Sequence, residues 1–357
     1  MSQKNSDLIS SSSRQKSHAS PPSIRTSITT HPNGITHAEG SRVLELRLMH
    51  HYTTSTCKQL PDGHSRKGNY VWSIDIPKLA FQSDLVLSAL LSISALHHWA
   101  LTPNDQLLSY AAGYYFDRAV RDHRKALGDV DQVSAEVVLA TAILITHQTW
   151  LAAHNNTSNT PYELPLQTYY MARGIQVLFE QMWPWLGGSG YLWYVDRTPI
   201  SDTEEVVCVD PFLISSQYDL AKLSVTFNEE GVSPKDKIVY EKTVGEISSM
   251  CLSICNRTSQ VPLQRMVATM PLRLPERFLE LVELKDPRAL ALLARNLALL
   301  KVIDSVWWLH GTGPSQNVAE ISVTGIGNMI PEEWFWVMEW PLKVLSGDLR
   351  PLSSGTT

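Results

Sequence analysis

The stretch from residue 286 to residue 311, DPRALALLARNLALLKVIDSVWWLHG, marks both ends of a helix in its own residues. Asp286 is a good N-cap, because its carboxylate accepts hydrogen bonds from the free N–H groups of the first turn. Pro287 suits the first helical position, where its missing N–H is not needed. Gly311 stands where a terminating glycine belongs. The spacing therefore predicts a helix over 287–310.

Working outward, residues 311–329 bear several glycines, and Pro331 opens a short helix, EEWFWVMEW, that Pro341 stops or kinks. Five of the eleven tryptophans lie between residues 307 and 340. Upstream, the same punctuation predicts helices near 134–153, 164–182, 211–227 and 235–256. From Asn104 to Leu127, the apolar Leu107, Leu108, Ala111, Tyr115, Ala119 and Val120 follow one helical face, while Arg118, Arg121, Asp122, Arg124 and Lys125 fall largely elsewhere. Gly128 closes that helix. Ser83 and Asp84 cap a helix over 85–101, LVLSALLSISALHHWAL, whose 17 residues, three serines and two histidines make it a buried core helix rather than a membrane span. Residues 59–70, QLPDGHSRKGNY, read as a turn-rich loop that continues through Trp72 into an extended IPKLAF.

No strand alternation and no repeat period is visible, so the chain reads as all-α, either one domain or two abutting helical halves. The folded region is expected over 41–350, opening with Ser41 as N-cap before Val43, Leu44, Leu46, Leu48 and Met49. A polar tail or linker, 1–40, precedes it and a short flexible tail, 351–357, follows. The tail has too little apolar area to offset the entropy of ordering it, and it has no apolar h-region of a signal peptide.

At 357 residues and 43% apolar, the chain is long and apolar enough for a sizeable core, which excludes wholesale disorder. Its net charge of −5 lacks the basic footprint of a phosphate-backbone binder, so no direct DNA contact by this chain is expected. Four cysteines, Cys57, Cys208, Cys251 and Cys255, are too few for a disulfide framework and point to reduced thiols in the nucleus or cytosol.

Catalytic and metal signatures fail on inspection. Gly187-Gly188-Ser189-Gly190-Tyr191 lacks the glycine that a nucleophile elbow needs two residues after its serine. Gly311-Thr312-Gly313 and Gly325-Ile326-Gly327 lack the final glycine and the strand of a phosphate loop, and read as hinges or caps. Asp117 and Asp122 do not share a helical face, which leaves a diphosphate and magnesium site unsupported. The pairs His50-His51 and His97-His98 put adjacent rings about 100° apart, and His147 with His154 has no third ligand, so no metal is expected. Cys251 and Cys255 share a face as i and i+4, and read as buried structural thiols. Trp307, Trp308, Trp334, Met338 and Trp340 form the most unusual group, an aromatic cluster that packs two helices together or lines a ligand pocket.

The segments ELRLMHHYTTSTCK, LVLSALLSISALHHWAL, YAAGYYFDRAVRDHRKAL, DPRALALLARNLALLKVIDSVWWLHG and PEEWFWVMEWPL, in that order, resemble the regulatory domain of fungal zinc-cluster transcription factors, nearest the sterol uptake control type. The resemblance runs from about Ser41 to about Leu349. It implies an all-helical, ligand-sensing and dimerising domain in the nucleus, shuttling with the cytoplasm, without catalysis or cofactor. It also implies a DNA-binding module of six closely spaced cysteines, to which none of the four cysteines here can be assigned. A truncated gene model, a lost exon or a partner protein acting through dimerisation each fits that gap.

On this reading the partners are a hydrophobic, sterol-like small-molecule effector and a second subunit, in a homodimer or a heterodimer with a related factor. Trp307, Trp308, Trp334, Met338 and Trp340 would contact the effector, with Gly311, Gly325 and Gly327 as hinges of a mobile gate. Two rivals stand beside it: a helical enzyme on an apolar substrate using Asp117 or His147, and a dimerisation scaffold without ligand.

Overall fold

The structure, a computed structural model, describes residues 37–154, 162–186, 210–256, 260–303, 307–310 and 317–352. Contacts divide the chain into two units, Met1–Ser41 and Arg42–Thr357. Of the first unit the described residues, 37–41, are helical; the polar stretch 1–36 and the closing residues 353–357 lie outside the described residues. No strand occurs among the described residues, in keeping with the all-α expectation.

The first helix, α1 (His37–His51), starts before Ser41, so Ser41 is not its N-cap; Ala38 and Glu39 are strong helix formers and carry the helix back. A π-helical turn, Tyr52–Thr56, and a short α2 (Cys57–Gln59) continue it. The loop and extended stretch expected at 66–81 is instead α3 (Arg66–Tyr70), a second π-helical turn (Val71–Asp75) and α4 (Ile76–Ala80). Two local devices explain this. Ser65 Oγ accepts from the Gly68 N–H at 2.9 Å as an N-cap, and Pro77 sits in the first turn of α4, where proline is tolerated. Trp72 is fully buried there and donates from Nε1 to the Pro61 carbonyl at 2.8 Å.

Helix α5 (Asp84–Leu101) packs most extensively on α6 (Gln106–Ala126) and also on α7 (Ala135–Ala153). Two of its serines tie it to its neighbours: Ser92 Oγ donates to the Ala112 carbonyl at 2.6 Å and Ser94 Oγ to the Leu48 carbonyl at 2.7 Å. Both α5 and α7 are long and apolar enough to cross a membrane, and both bury most of their length against other helices of this domain. Helix α8 (Leu166–Leu186) lies along α7.

The second half opens with α9 (Pro211–Val225) and α10 (Pro234–Cys255). Each begins with proline after a side-chain cap: Asp210 accepts from Phe212 N–H at 2.8 Å, and Ser233 from Asp236 N–H at 3.1 Å. Three short helices that the sequence pattern did not reveal follow, α11 (Gln260–Ala268), α12 (Met270–Arg273) and α13 (Glu276–Glu283).

Helix α14 (Pro287–Ala298) starts as predicted: the Asp286 carboxylate accepts from the N–H groups of Arg288 and Ala289, each at 3.0 Å. It does not run to residue 310. It tightens into a 3₁₀ turn (Leu299–Lys301), and Trp307–His310 form a separate α15. No proline or glycine lies in this break. Its cause is tertiary, because the split seats Trp307 against His97 of α5 and Trp308 beside His147 of α7.

Helix α16 (Val318–Gly327), capped by Asn317, packs on α14 and occupies much of the expected glycine gate. The sequence EEWFWVMEW also differs from expectation. Residues 332–338 are 3₁₀, and α17 (Glu339–Ser346) passes through Pro341, which sits in the first turn and removes no needed donor. Gly347 ends α17 with a φ of +78°, a conformation that suits glycine.

Candidate ligand-binding site

Helices α7, α8, α11, α12, α14 and α15 line a partly open cavity of about 50 Å³, room for a few water-sized molecules. Thr146, His147 and Trp150 come from α7, and Thr168, Tyr169 and Ala172 from α8. Asn296, Leu297 and Leu300 line it from α14 and the turn after it, and Trp308 from α15. No Lys, Arg, Asp or Glu lines it among the described residues. The Trp150 indole N–H donates to the Trp308 carbonyl at 2.9 Å and so ties α15 to α7.

Four polar side chains of this wall differ in state. The Ile143 carbonyl can only accept, so His147 Nδ1, 2.8 Å away, carries the proton. Burial holds the His147 imidazole neutral by lowering its pKa to about 4, against the opposing effect of that hydrogen bond. Burial also raises the pKa of the Tyr169 phenol, which stays protonated. Thr168 Oγ1 and Trp308 Nε1 are buried and have no hydrogen-bond partner among the described residues.

Of the five residues expected to contact an effector, Trp308 alone lines this cavity. Trp307 points the other way, its ring 4.6 Å from that of His97. Trp334 lies half-buried beside Trp336, their centroids 6.1 Å apart, with Arg288 4.9 Å over Trp334 and Lys222 4.6 Å over Trp336. Trp340 packs against Phe212, and Met338 lies against the last turn of α16 at Gly327. The aromatic cluster is thus split among several packing sites.

The expected hinges also separate. Gly311 lies outside the described residues, as do Cys208 and the segment Gly187–Tyr191. Gly325 and Gly327 are helical residues of α16. An added Cβ on Gly325 would come within 2.1 Å of the Tyr162 ring, so this glycine permits a close approach.

One constellation escaped the sequence reading. His51 Nε2 lies 3.2 Å from His97 Nδ1, His51 stacks on His98 with centroids 4.2 Å apart, and Thr56 Oγ1 is 2.9 Å from His97 Nδ1. Burial, then the neighbouring rings, lower the pKa of His97 to about 3 and of His51 to about 4. His97 and His98 of α5 both reach His51 of α1, and only the crossing of the helices reveals that. No group of three or more His, Cys, Asp or Glu fit to hold a metal ion occurs among the described residues. Cys251 and Cys255 are buried in α10, and burial pushes the Cys251 thiol up to about 11, where it stays protonated and unreactive. Asp122 is engaged with Lys125 at 2.9 Å.

Residues 47–164 match the fungal specific transcription factor domain. The chain is 28% identical over 342 residues to a Zn(2)-C6 fungal-type transcription factor of Gibberella zeae, covering 91% of this chain and 66% of that protein. It is 31% identical over 137 residues to the Zn(2)-C6 fungal-type transcription factor afumD of Aspergillus fumigatus, covering 38% of this chain and 36% of the relative. It is 24% identical over 154 residues to Sterol uptake control protein 2 of Candida albicans, covering 43% and 21%. In each case the match spans less than two thirds of the relative's own length. The chain is thus similar, over residues 47–164, to the fungal specific transcription factor domain, and the relatives it resembles are named as Zn(2)-C6 fungal-type transcription factors and a sterol uptake control protein.

Proposed function

We propose that this chain acts in transcription regulation as an effector-responsive helical domain, and that its effector is a hydrophobic, sterol-like molecule held between α7, α8 and α14. The observation that carries this reading is the cavity itself, mostly apolar, free of charged lining among the described residues and lined by Trp308 on a helix separate from α14. Its volume of about 50 Å³ is smaller than a fused-ring ligand needs, so binding has to part the walls. The part free to move is α15, held to α7 by the Trp150 bond. An effector that binds the parted state better shifts the domain toward it. The similarity to a sterol uptake control protein supports a sterol-like class.

The test is a titration of the purified chain with the fluorescent sterol dehydroergosterol, read as energy transfer from tryptophan. Saturable transfer that Ala172→Trp abolishes by filling the cavity is the expected result. Transfer that does not saturate, or that survives Ala172→Trp, sinks the reading.

Regulation of this kind belongs in the nucleus, and shuttling with the cytoplasm would let the effector set where the protein resides. DNA contact is assigned to a zinc-cluster module or partner outside these residues. For the partner, the outward face of α6 favours a second copy of this chain. Leu107, Tyr110 and Tyr114 are exposed on its first half, with Tyr110 and Tyr114 stacked at 6.3 Å, and Arg118, Arg121 and Lys125 continue the same face. In an antiparallel two-fold pairing the tyrosine rings of one copy meet the guanidinium groups of the other. Sedimentation should show a dimer that Arg121→Glu with Lys125→Glu dissociates, and Asp117→Cys should cross-link near the axis. A monomer at all concentrations, or a dimer indifferent to these changes, removes this face from consideration.

A further inference from the structure

We propose that the outward face of the helical run from Arg66 to Ala80 is a docking strip for an acidic, amphipathic peptide helix of a partner protein. Arg66, Lys67 and Lys78 take its carboxylates, and Tyr70, Ile74 and Phe81 take its apolar side chains. The strip is separate from the cavity, none of whose lining residues it contains.

Helix α3, the π-helical turn and α4 follow one another without a gap, about 22 Å of helix. The inner face is fixed, because Val71, Trp72, Ile76 and Ala80 are buried. On the other face Arg66, Tyr70, Ile74, Lys78 and Phe81 succeed one another at intervals of four, four, four and three residues, and all five are exposed. Lys78 Nζ lies 5.9 Å from the centre of the Tyr70 ring, so residues two turns apart stand on one side. Tyr70 is 54% exposed, Ile74 39% and Phe81 74%. Singly such exposure is ordinary; in a row between cations it has the composition of an interface, aromatic and arginine side chains around an apolar middle.

The charge on the strip has one sign. None of Arg66, Lys67 and Lys78 has an ion-pair partner among the described residues. The one acid of the run, Asp75, is a residue off the strip and close to Glu136 of α7, whose pKa is raised by burial and then by Asp75. A helix bearing carboxylates gains charge pairing at both ends of the strip and apolar contact between them. Duplex DNA fits worse, because Ile74 and Phe81 would face phosphates. The rest of the chain, more acidic than the net charge of −5 that includes these cations, would also repel a long polyanion. An anionic bilayer fits worse too, since an apolar row one side chain wide matches a single facing helix rather than a lipid surface.

The experiment follows the fluorescence anisotropy of a labelled peptide of about 15 residues, Glu and Asp around Leu and Phe at helical spacing, as the full chain is added. Saturable binding is expected, and a peptide with Gln in place of Leu and Phe should bind at least about tenfold more weakly. Arg66→Glu with Lys78→Glu should weaken binding at least about tenfold, and Tyr70→Ser about threefold or more. Lys235→Glu with Lys242→Glu, an equal charge change on exposed residues of α10, should alter it by less than about twofold. All these side chains are exposed, so thermal melts should match the parent; where the first pair unfolds, Lys67→Glu is read in its place. No saturable binding, equal binding of the Gln peptide, or an equal loss with the α10 pair overturns the proposal. Tighter binding of duplex DNA or phosphatidylserine vesicles, lost with the same substitutions, also overturns it and gives the strip to phosphate instead.

Discussion

Arg295 shows how much one residue can hold. Its side chain is fully buried in α14, bonded to Asp219 of α9 through Nε at 2.6 Å and Nη2 at 2.9 Å, with Nη1 donating to the Ala291 carbonyl at 2.9 Å. Arg295→Ala leaves the Asp219 carboxylate without its counter-charge and should cost about 3–5 kcal/mol in urea unfolding. Arg295→Met with Asp219→Leu should recover most of that loss, since a matched apolar pair has no charge to desolvate. A single variant as stable as the parent would show that water reaches the pair. Gly325 is decided by space: Gly325→Ala would gain helix propensity, but its Cβ meets the base of the Tyr162 ring, so a net loss of about 1–3 kcal/mol is expected. Adding Tyr162→Ala should remove the clash, whereas Gly113→Ala on the open face of α6 should stabilise by about 0.5–1 kcal/mol. Parallel thermal melts distinguish the two glycines. Neither difference is visible in sequence, where both are glycines in helical patterns.

At the scale of elements, helix beginnings are legible and helix endings much less so. Asp286, Asp210 and Ser233, each followed by proline, cap helices by local hydrogen bonds that require nothing from the rest of the chain. The Asp286 carboxylate also accepts from the Tyr240 hydroxyl at 2.9 Å, tying α10 to the start of α14. Asp286→Ala should therefore cost about 1–2 kcal/mol for the cap and more for the stranded hydroxyl, and Asp286→Asn should cost less. Equal losses for the two would argue that the charge, not the cap geometry, matters. The end of α14 could not be foreseen, because the break after Lys301 carries no breaker residue and follows from where two adjacent tryptophans find room. The turns around Pro77 and Pro341 mislead for a related reason: proline reads as a stop, but in a first turn it is compatible with the helix.

Across the whole molecule, buried neutral histidines make stability depend on pH. His147 and His154 are almost entirely buried, and burial lowers each pKa from 6.5 to about 4. Between those values the unfolded chain binds more protons than the folded one, so the contribution is complete above about pH 6.5 and declines as pH falls toward 4. Each group should cost about 1.4 kcal/mol per pH unit within that window. Urea midpoints should fall from pH 7 to pH 5, and His154→Gln should flatten the slope; a midpoint constant over that range would mean these rings take up protons in place. The all-α class, the caps and the buried helices α5 and α7 were set by the sequence itself, since periodicity and capping act within a few residues. The cavity, the meeting of His51 with His97 and His98, and the division of the tryptophan cluster were decided only by tertiary structure. Which faces of distant helices meet depends on how α14 threads between its neighbours, and no spacing along the chain encodes that crossing by itself.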